Sequence, residues 1–180
     1  METKHSLSPY LSRPQIQSLV ETLAESVSAD YAGKVGEGTE LLVTVILNGA
    51  VFFAADFLRK VKVPVEVDFV RLSSYGAAQE SSRSVRILKD LTVSPEGRHI
   101  LVVDEIIDTG HTLAFLKRRL EAANPRSVKI CALLSKPSRR EITVPIDYCG
   151  TEVENKFLVG YGLDLDGRYR NLDGIYTLNE

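Results

Sequence analysis

The chain has no G-x-x-x-x-G-K-[ST] loop, and no strand-like run leads into G-x-G-x-x-G, so the common mononucleotide and dinucleotide loops are excluded. No apolar run approaches the roughly 20 residues that cross a bilayer. The first residues have no apolar core of the signal-peptide kind. A cytoplasmic protein without membrane contact is the expectation. Cysteine is scarce: Cys131 and Cys149 are the only two, and neither has a Cys/His set at metal spacing nearby. Zinc is disfavoured, and two reduced, buried core thiols are predicted. Excess charge is also missing. Lys and Arg number 22 against 24 Asp and Glu, a formal charge of −2, which gives no footprint for a nucleic acid. What remains is a chain of 180 residues, 44% hydrophobic and 26% charged, the balance of one ordinary globular domain over 1–180.

The most informative stretch is residues 100–113, I-L-V-V-D-E-I-I-D-T-G-H-T-L. Four unbroken apolar residues suit a parallel strand buried on both faces. After the polar segment, Leu113, Leu116 and Leu120 recur at helical spacing. The reading is strand, polar loop, helix, with Asp104 and Glu105 opening the loop. A helix N-terminus presents unpaired N–H groups and partial positive charge, which suit a phosphate. Gly110 lets the backbone come close to a ligand, and Thr109 and Thr112 add hydroxyl donors. Asp104 and Glu105 would repel a phosphate but can accept hydrogen bonds from a vicinal diol such as a ribose. The pattern reads as a site for a ribose 5-phosphate. Asp-Thr-Gly alone is a common capping turn; the whole run is what carries the reading.

The rest of the chain repeats the theme. Residues 1–11 read as a loose arm. Ser12 and Pro14 open a helix whose stripe is Ile16, Leu19, Val20, Leu23 and Val27, ending near Gly33. Residues 41–47, L-L-V-T-V-I-L, form a second buried strand, followed by Asn48-Gly49-Ala50 and a helix over 51–60. Val63, Val65, Val67 and Phe69 alternate as a third strand, followed by a small, polar surface loop over 73–84. Residues 85–89 and the strand from His99 are expected to flank a hairpin turn at Pro95 and Gly97. Residues 128–134 make another buried strand, with Lys136 just past it. Strand-helix-strand repetition argues an α/β fold with a doubly wound, mainly parallel sheet flanked by helices. Residues 144–180, cut by Pro145 and several glycines, look like a small hood subdomain completed by the N-terminal arm.

The 100–113 run resembles the phosphoribosyl pyrophosphate (PRPP) signature of the type I phosphoribosyltransferases. L-N-G-A-V-F-F-A-A-D resembles the pyrophosphate loop of the hypoxanthine-guanine branch, and K-F-L-V-G-Y-G-L-D resembles its base-binding segment. The resemblance covers most of the chain from about residue 41. It implies transfer of the 5-phosphoribosyl group from PRPP to N9 of a 6-oxopurine, giving IMP or GMP and pyrophosphate. In those terms Asp104, Glu105, Asp108, Thr109, Gly110, His111 and Thr112 hold PRPP or nucleotide, and Asp108 is the general base. Leu47, Asn48, Gly49 and Arg170 hold pyrophosphate, with a non-proline cis peptide at Leu47-Asn48. Ser74 and Tyr75 belong to a loop that closes over the reaction centre. Lys136, Phe157, Leu158 and Asp164 hold the purine, and Asp164, Asp104 and Glu105 are the residues toward Mg²⁺. A homodimer or homotetramer is implied. Two departures stand out. The acid pair runs Asp-Glu rather than Glu-Asp, and Asn48 and His111 replace lysines that are frequent in the branch. A second reading is a regulator that keeps the fold and senses PRPP or nucleotide; the positioned base Asp108 with a purine pocket argues for the enzyme. An adenine enzyme is disfavoured by Lys136 and by the acidic Asp108.

Overall fold

The structure is a computed structural model that describes residues 6–75 and 84–179. Thirteen short segments fold as β1 (Ser6–Leu11), α1 (Arg13–Tyr31), β2 (Leu41–Leu47), α2 (Ala50–Leu58), β3 (Val65–Tyr75), β4 (Ser84–Lys89), β5 (His99–Ile107), α3 (His111–Glu121), β6 (Ser127–Ser135), a single 3₁₀ turn (Pro137–Arg139), β7 (Tyr148–Glu152), β8 (Leu158–Val159) and β9 (Ile175–Asn179). Six strands make one sheet in the order β4-β3-β2-β5-β6-β7. All its neighbours are parallel except β3 and β4.

Both faces of this sheet are covered, which is why β2 and β5 read as unbroken apolar runs. On one face Ile16, Val20, Leu23 and Val27 of α1 and Phe53 and Phe57 of α2 pack on Leu41, Val43, Val45, Leu101 and Val103. On the other, Leu113, Leu116 and Leu120 of α3 pack on Leu42, Ile46, Ile100, Val102 and Ile130. Each fully buried aliphatic side chain here contributes about 1.5–3 kcal/mol. At the start of α1 the Ser12 amide and hydroxyl both donate to Gln15 Oε1, at 2.9 and 2.8 Å. That ties the helix entry as the Ser-Pro pattern implied.

The doubly wound α/β expectation holds, with a separate antiparallel sheet of order β1-β9-β8 as the hood. Several details differ. The N-terminal arm is not loose: residues 6–11 pair antiparallel with β9. Strand β4 pairs with β3 rather than β5, because β3 continues past residue 72 to Tyr75 and offers it an edge. Ser74 and Tyr75 therefore lie in the end of β3, and residues 76–83 of the expected closing loop lie outside the described residues. Tyr148–Glu152, expected in the hood, is the edge strand of the large sheet, parallel to β6. Cys131 is buried as expected, but Cys149 on that edge strand is exposed; both thiols are free. Among the described residues no helix is long and apolar enough to cross a membrane.

Asp68 of β3 ties the sheet edge together. It is only 6% exposed. Its carboxylate accepts from the amides of Phe69, Thr92 and Val93, the Thr92 hydroxyl and the Lys89 ammonium. Burial alone would raise this carboxyl, but the Thr92 and Phe69 amides, Lys89 and the Thr92 hydroxyl outweigh it and hold it well below the usual range. Asp68→Ala strands these donors, so stability is expected to fall by about 2–4 kcal/mol at neutral pH. A carboxyl depressed in the folded state stabilises above the unfolded value of about 3.9. That contribution is lost as pH falls from there toward the folded value. Urea denaturation of wild type and variant at neutral and acid pH checks it; a difference that did not shrink in acid would place the stabilisation elsewhere.

Candidate active site

The strand order reverses between β2 and β5, the position where open α/β sheets hold ligands at the carboxyl ends of their strands. The loops after these two strands are 48–49 and 108–110. Two cavities meet there. One, of about 140 Å³, is lined by Asp104, Asp108, Thr109, Gly110 and Thr112. The other, of about 420 Å³, is lined by Glu105, Asp108, Lys136, Arg139, Phe157, Leu158 and Asp164. Ile106 and Asp108 line both.

The smaller cavity gathers the residues expected to cradle a phosphate. Gly110 caps α3 with a left-handed φ of 91°. A Cβ there would strike the carbonyl oxygen of Ile142. The glycine is thus needed to let the chain turn against residues 141–142, whose amides donate to the Thr109 carbonyl at 3.0 and 3.1 Å. His111 Nε2 lies 3.0 Å from Glu141 Oε2, at the mouth of the helix. Gly110→Ala is expected to weaken nucleotide binding by at least about tenfold and to lower thermal stability. Forcing a non-glycine residue into a strained φ costs on the order of 1–3 kcal/mol. Calorimetric titration with IMP checks it, and undiminished affinity would remove the phosphate from this turn.

Asp104 and Glu105 are not in the loop but inside β5. Strand alternation gives them different neighbours: Asp104 lines the cradle and Glu105 the larger cleft. Asp104 Oδ1 accepts the Glu105 amide at 3.0 Å. Burial pushes both carboxyls up, and the Glu105 charge pushes Asp104 further. A buried acid pair of this kind is stabilised by hydroxyl donors or a cation.

The Leu47-Asn48 peptide is cis, as the resemblance implied. Asn48 is exposed, and Gly49 is buried against Glu105. A Cβ on Gly49 would run into the Glu105 carboxylate and lie 2.7 Å from the Gly162 carbonyl oxygen. Gly162, with φ 99°, presses back on Gly49. Arg170 Nη1 donates to the Gly162 carbonyl, and Arg170 Nη2 lies 2.7 Å from Asp164 Oδ1. Asp164 Oδ2 accepts the Gly167 amide at 2.7 Å. Asp164 thus lines the cleft with both its oxygens engaged by the chain.

In the larger cleft, Lys136 is buried and its ammonium donates to the Lys156 carbonyl at 2.7 Å. Desolvation lowers its pKa, with Asp108 pulling the other way. Phe157 is 52% exposed, its ring available to a planar ligand. The Leu178 amide takes the Phe157 carbonyl. Alternation along β8 then turns the next carbonyl, that of Leu158, away from β9. Asp108 Oδ1 is 3.1 Å from Arg139 Nε, and Arg140 Nη1 donates to the Asp108 carbonyl at 2.9 Å. Neither arginine was singled out from sequence. Their place directly after Lys136-Pro137-Ser138 was the available signal.

The donor set also fits a magnesium ion. It is all carboxylate oxygen, and among the described residues no cluster of three His, Cys, Asp or Glu forms a closed cage. Mg²⁺ is usually held by one or two carboxylates plus substrate phosphates.

Comparison with known proteins agrees with this geometry. Residues 6–166 match the phosphoribosyl transferase domain family. The hypoxanthine-guanine phosphoribosyltransferase of Mycobacterium tuberculosis is 44% identical over 170 residues, covering 94% of this chain and 84% of that protein. The hypoxanthine phosphoribosyltransferase of Escherichia coli K12 is 38% identical over 169 residues, covering 94% and 93%. Among solved structures, the Trypanosoma cruzi hypoxanthine phosphoribosyltransferase in complex with the product IMP superposes with a TM-score of 0.90 at 34% identity, covering 99% and 97%. With a match that runs from the first hood strand through the acid pair and the cradle to Asp166, the chain belongs to the phosphoribosyltransferase family.

Proposed function

We infer that this protein transfers the 5-phosphoribosyl group of PRPP to N9 of hypoxanthine or guanine, releasing IMP or GMP and pyrophosphate in purine salvage. The observation that carries the reading is the shared wall. Asp108 stands between a cradle shaped for a phosphate and a cleft lined by a lysine, an exposed phenylalanine and an edge-strand backbone. A ribose bridging the two would lie along the Asp104-Glu105 pair.

The chemistry follows from these positions. Backbone amides at the start of α3 and the hydroxyls of Thr109 and Thr112 bind the 5′-phosphate. Asp104 and Glu105 accept from the ribose hydroxyls. As the bond to pyrophosphate loosens, the sugar takes on oxocarbenium character, as in glycoside cleavage. Arg170 and the 47–49 backbone receive the departing charge. Asp108 accepts the proton that the base gives up as N9 attacks. Mg²⁺, toward which Asp104 and Glu105 would turn their carboxylates while Asp164 stays engaged by Arg170 and the Gly167 amide, would supply further neutralisation of the pyrophosphate. Phe157 stacks on the base, Lys136 donates to its 6-oxo group, and the Leu158 carbonyl accepts from N1–H or the 2-amino group.

PRPP-dependent nucleotide formation, assayed with each purine base in turn, tests this. Hypoxanthine and guanine should be consumed and adenine should not. Tight PRPP or nucleotide binding with no product from any base would identify a sensor instead. The protein is proposed to work in the cytoplasm as a homodimer or homotetramer, with β1, β8 and β9 as the hood over the base; sedimentation measures the assembly.

A further inference from the structure

A third cavity, of about 230 Å³, lies at the opposite edge of the large sheet, where β2, β5 and β6 begin. Lys34, Arg98, His99 and Arg126 line it, with Glu40 its one carboxylate. None of these residues belongs to the phosphoribosyl site. Arg98 is fixed in place: Nη1 pairs with Glu66 and Nη2 donates to the Glu40 carbonyl at 3.1 Å. Glu40 turns its own carboxylate onto the Gly38 amide at 3.0 Å. Among the described residues, Lys34 and Arg126 have no ion-pair partner, and both are exposed at the rim. Lys34 instead lies 5.9 Å above the Tyr31 ring.

His99 reports the field inside. Its Nδ1 is 2.7 Å from Ser127 Oγ, and its ring meets Tyr31 edge-on at 5.6 Å. Burial lowers its pKa, and Arg126, Lys34 and Lys129 lower it further. The nearby Lys129 is already paired with Asp30 at 2.8 Å. Two unpaired cations, an imidazole and Arg98, whose charge Glu66 already shares, thus face the single lining carboxylate of Glu40 in a concave space. The space is smaller than the roughly 300–1,000 Å³ of drug-sized pockets, and matches a compact anion rather than a whole nucleotide.

We propose that this basal cavity, lined by Lys34, Arg98, His99 and Arg126, is a second ligand site that binds a compact phosphate anion, inorganic phosphate or pyrophosphate. Lys34 and Arg126 close on the anion from the rim, Arg98 anchors the floor, and His99 donates from Nε2. Two cations free to form charge-assisted hydrogen bonds are the observation behind it.

Proton NMR titration of the imidazoles tests this, because His99 reports the basal cavity and His111 the cradle. Inorganic phosphate and pyrophosphate are the probes, without divalent metal. The His99 resonance, assigned with His99→Gln, should saturate with either anion and its midpoint should move up by about one unit, since a nearby anion favours the imidazolium. In a Lys34→Ala, Arg126→Ala double variant the His99 response should vanish while that of His111 and the turnover of hypoxanthine stay as in wild type. Both substitutions remove exposed side chains, so folding is preserved. A His99 midpoint indifferent to both anions would overturn the proposal. So would a response that survives in the double variant, or one that fails to saturate, the mark of general ionic screening.

Discussion

Asp108→Asn should lower kcat by about 10²–10⁴-fold while PRPP affinity changes little. That is the usual contribution of a positioned general base. The substitution keeps the shape at the junction of the two cavities and the backbone that seats the phosphate. The Asp108 carbonyl would still accept from Arg140, and only the proton acceptor facing Arg139 would be lost. Single-turnover rates with saturating PRPP, beside calorimetric affinity, separate the two effects. Near wild-type turnover would reduce Asp108 to a helix-entry residue. A large loss of PRPP affinity with kcat intact would do the same.

Lys136→Met should lower kcat/KM for hypoxanthine by about 10–100-fold and narrow the preference over adenine. A hydrogen bond from a charged donor is worth about 1.5–3 kcal/mol, and each 1.4 kcal/mol is about tenfold. Lysine has donors and no acceptor. It complements a 6-oxo group, and against a 6-amino group it leaves both partners unsatisfied, the condition under which a polar site discriminates strongly. Methionine fills a similar volume without the ammonium, so the buried space beside the Lys156 carbonyl is not emptied. The measurement is the ratio of kcat/KM for the two bases in both proteins. An unchanged ratio would move 6-oxo recognition off Lys136. A wild type using adenine as well as hypoxanthine would overturn the base assignment itself.

Where one physical signal dominated, the sequence was easy to read. Strand β2 could be bounded to the residue because seven apolar or β-branched positions end at Asn48-Gly49. The turn into α3 was legible because glycine, helix entry and buried strand coincide at Gly110. Asp104 and Glu105 were assigned to a loop because hydropathy breaks at Asp104. The strand runs on because Asp104 and Ile107 still have partners in Ala132 and Ser135 of β6. Pairing between distant segments left no local trace. Ser6–Leu11 carries Pro9 and alternates weakly, and becomes a strand only against residues at the other end of the chain. Tyr148–Glu152 is preceded by a single 3₁₀ turn rather than an α-helix, so nothing in its periodicity announced a parallel strand. Arg139 matters through its distance to Asp108, which spacing along the chain does not encode.

The backbone contact between Gly49 and Gly162 has a consequence for how the protein matures. The 47–49 turn is made early in synthesis, but its seat is completed by a hood residue translated much later. Joining such distant segments carries a loop-closure entropy that the early half of the chain cannot offset alone. A nascent chain ending before residue 160 holds both sides of the Gly110–Ile142 turn and still lacks the Gly162 backbone against which Gly49 packs. The seat of the 47–49 turn is therefore complete only once Gly162, and the Arg170 that holds its carbonyl, have folded back onto it.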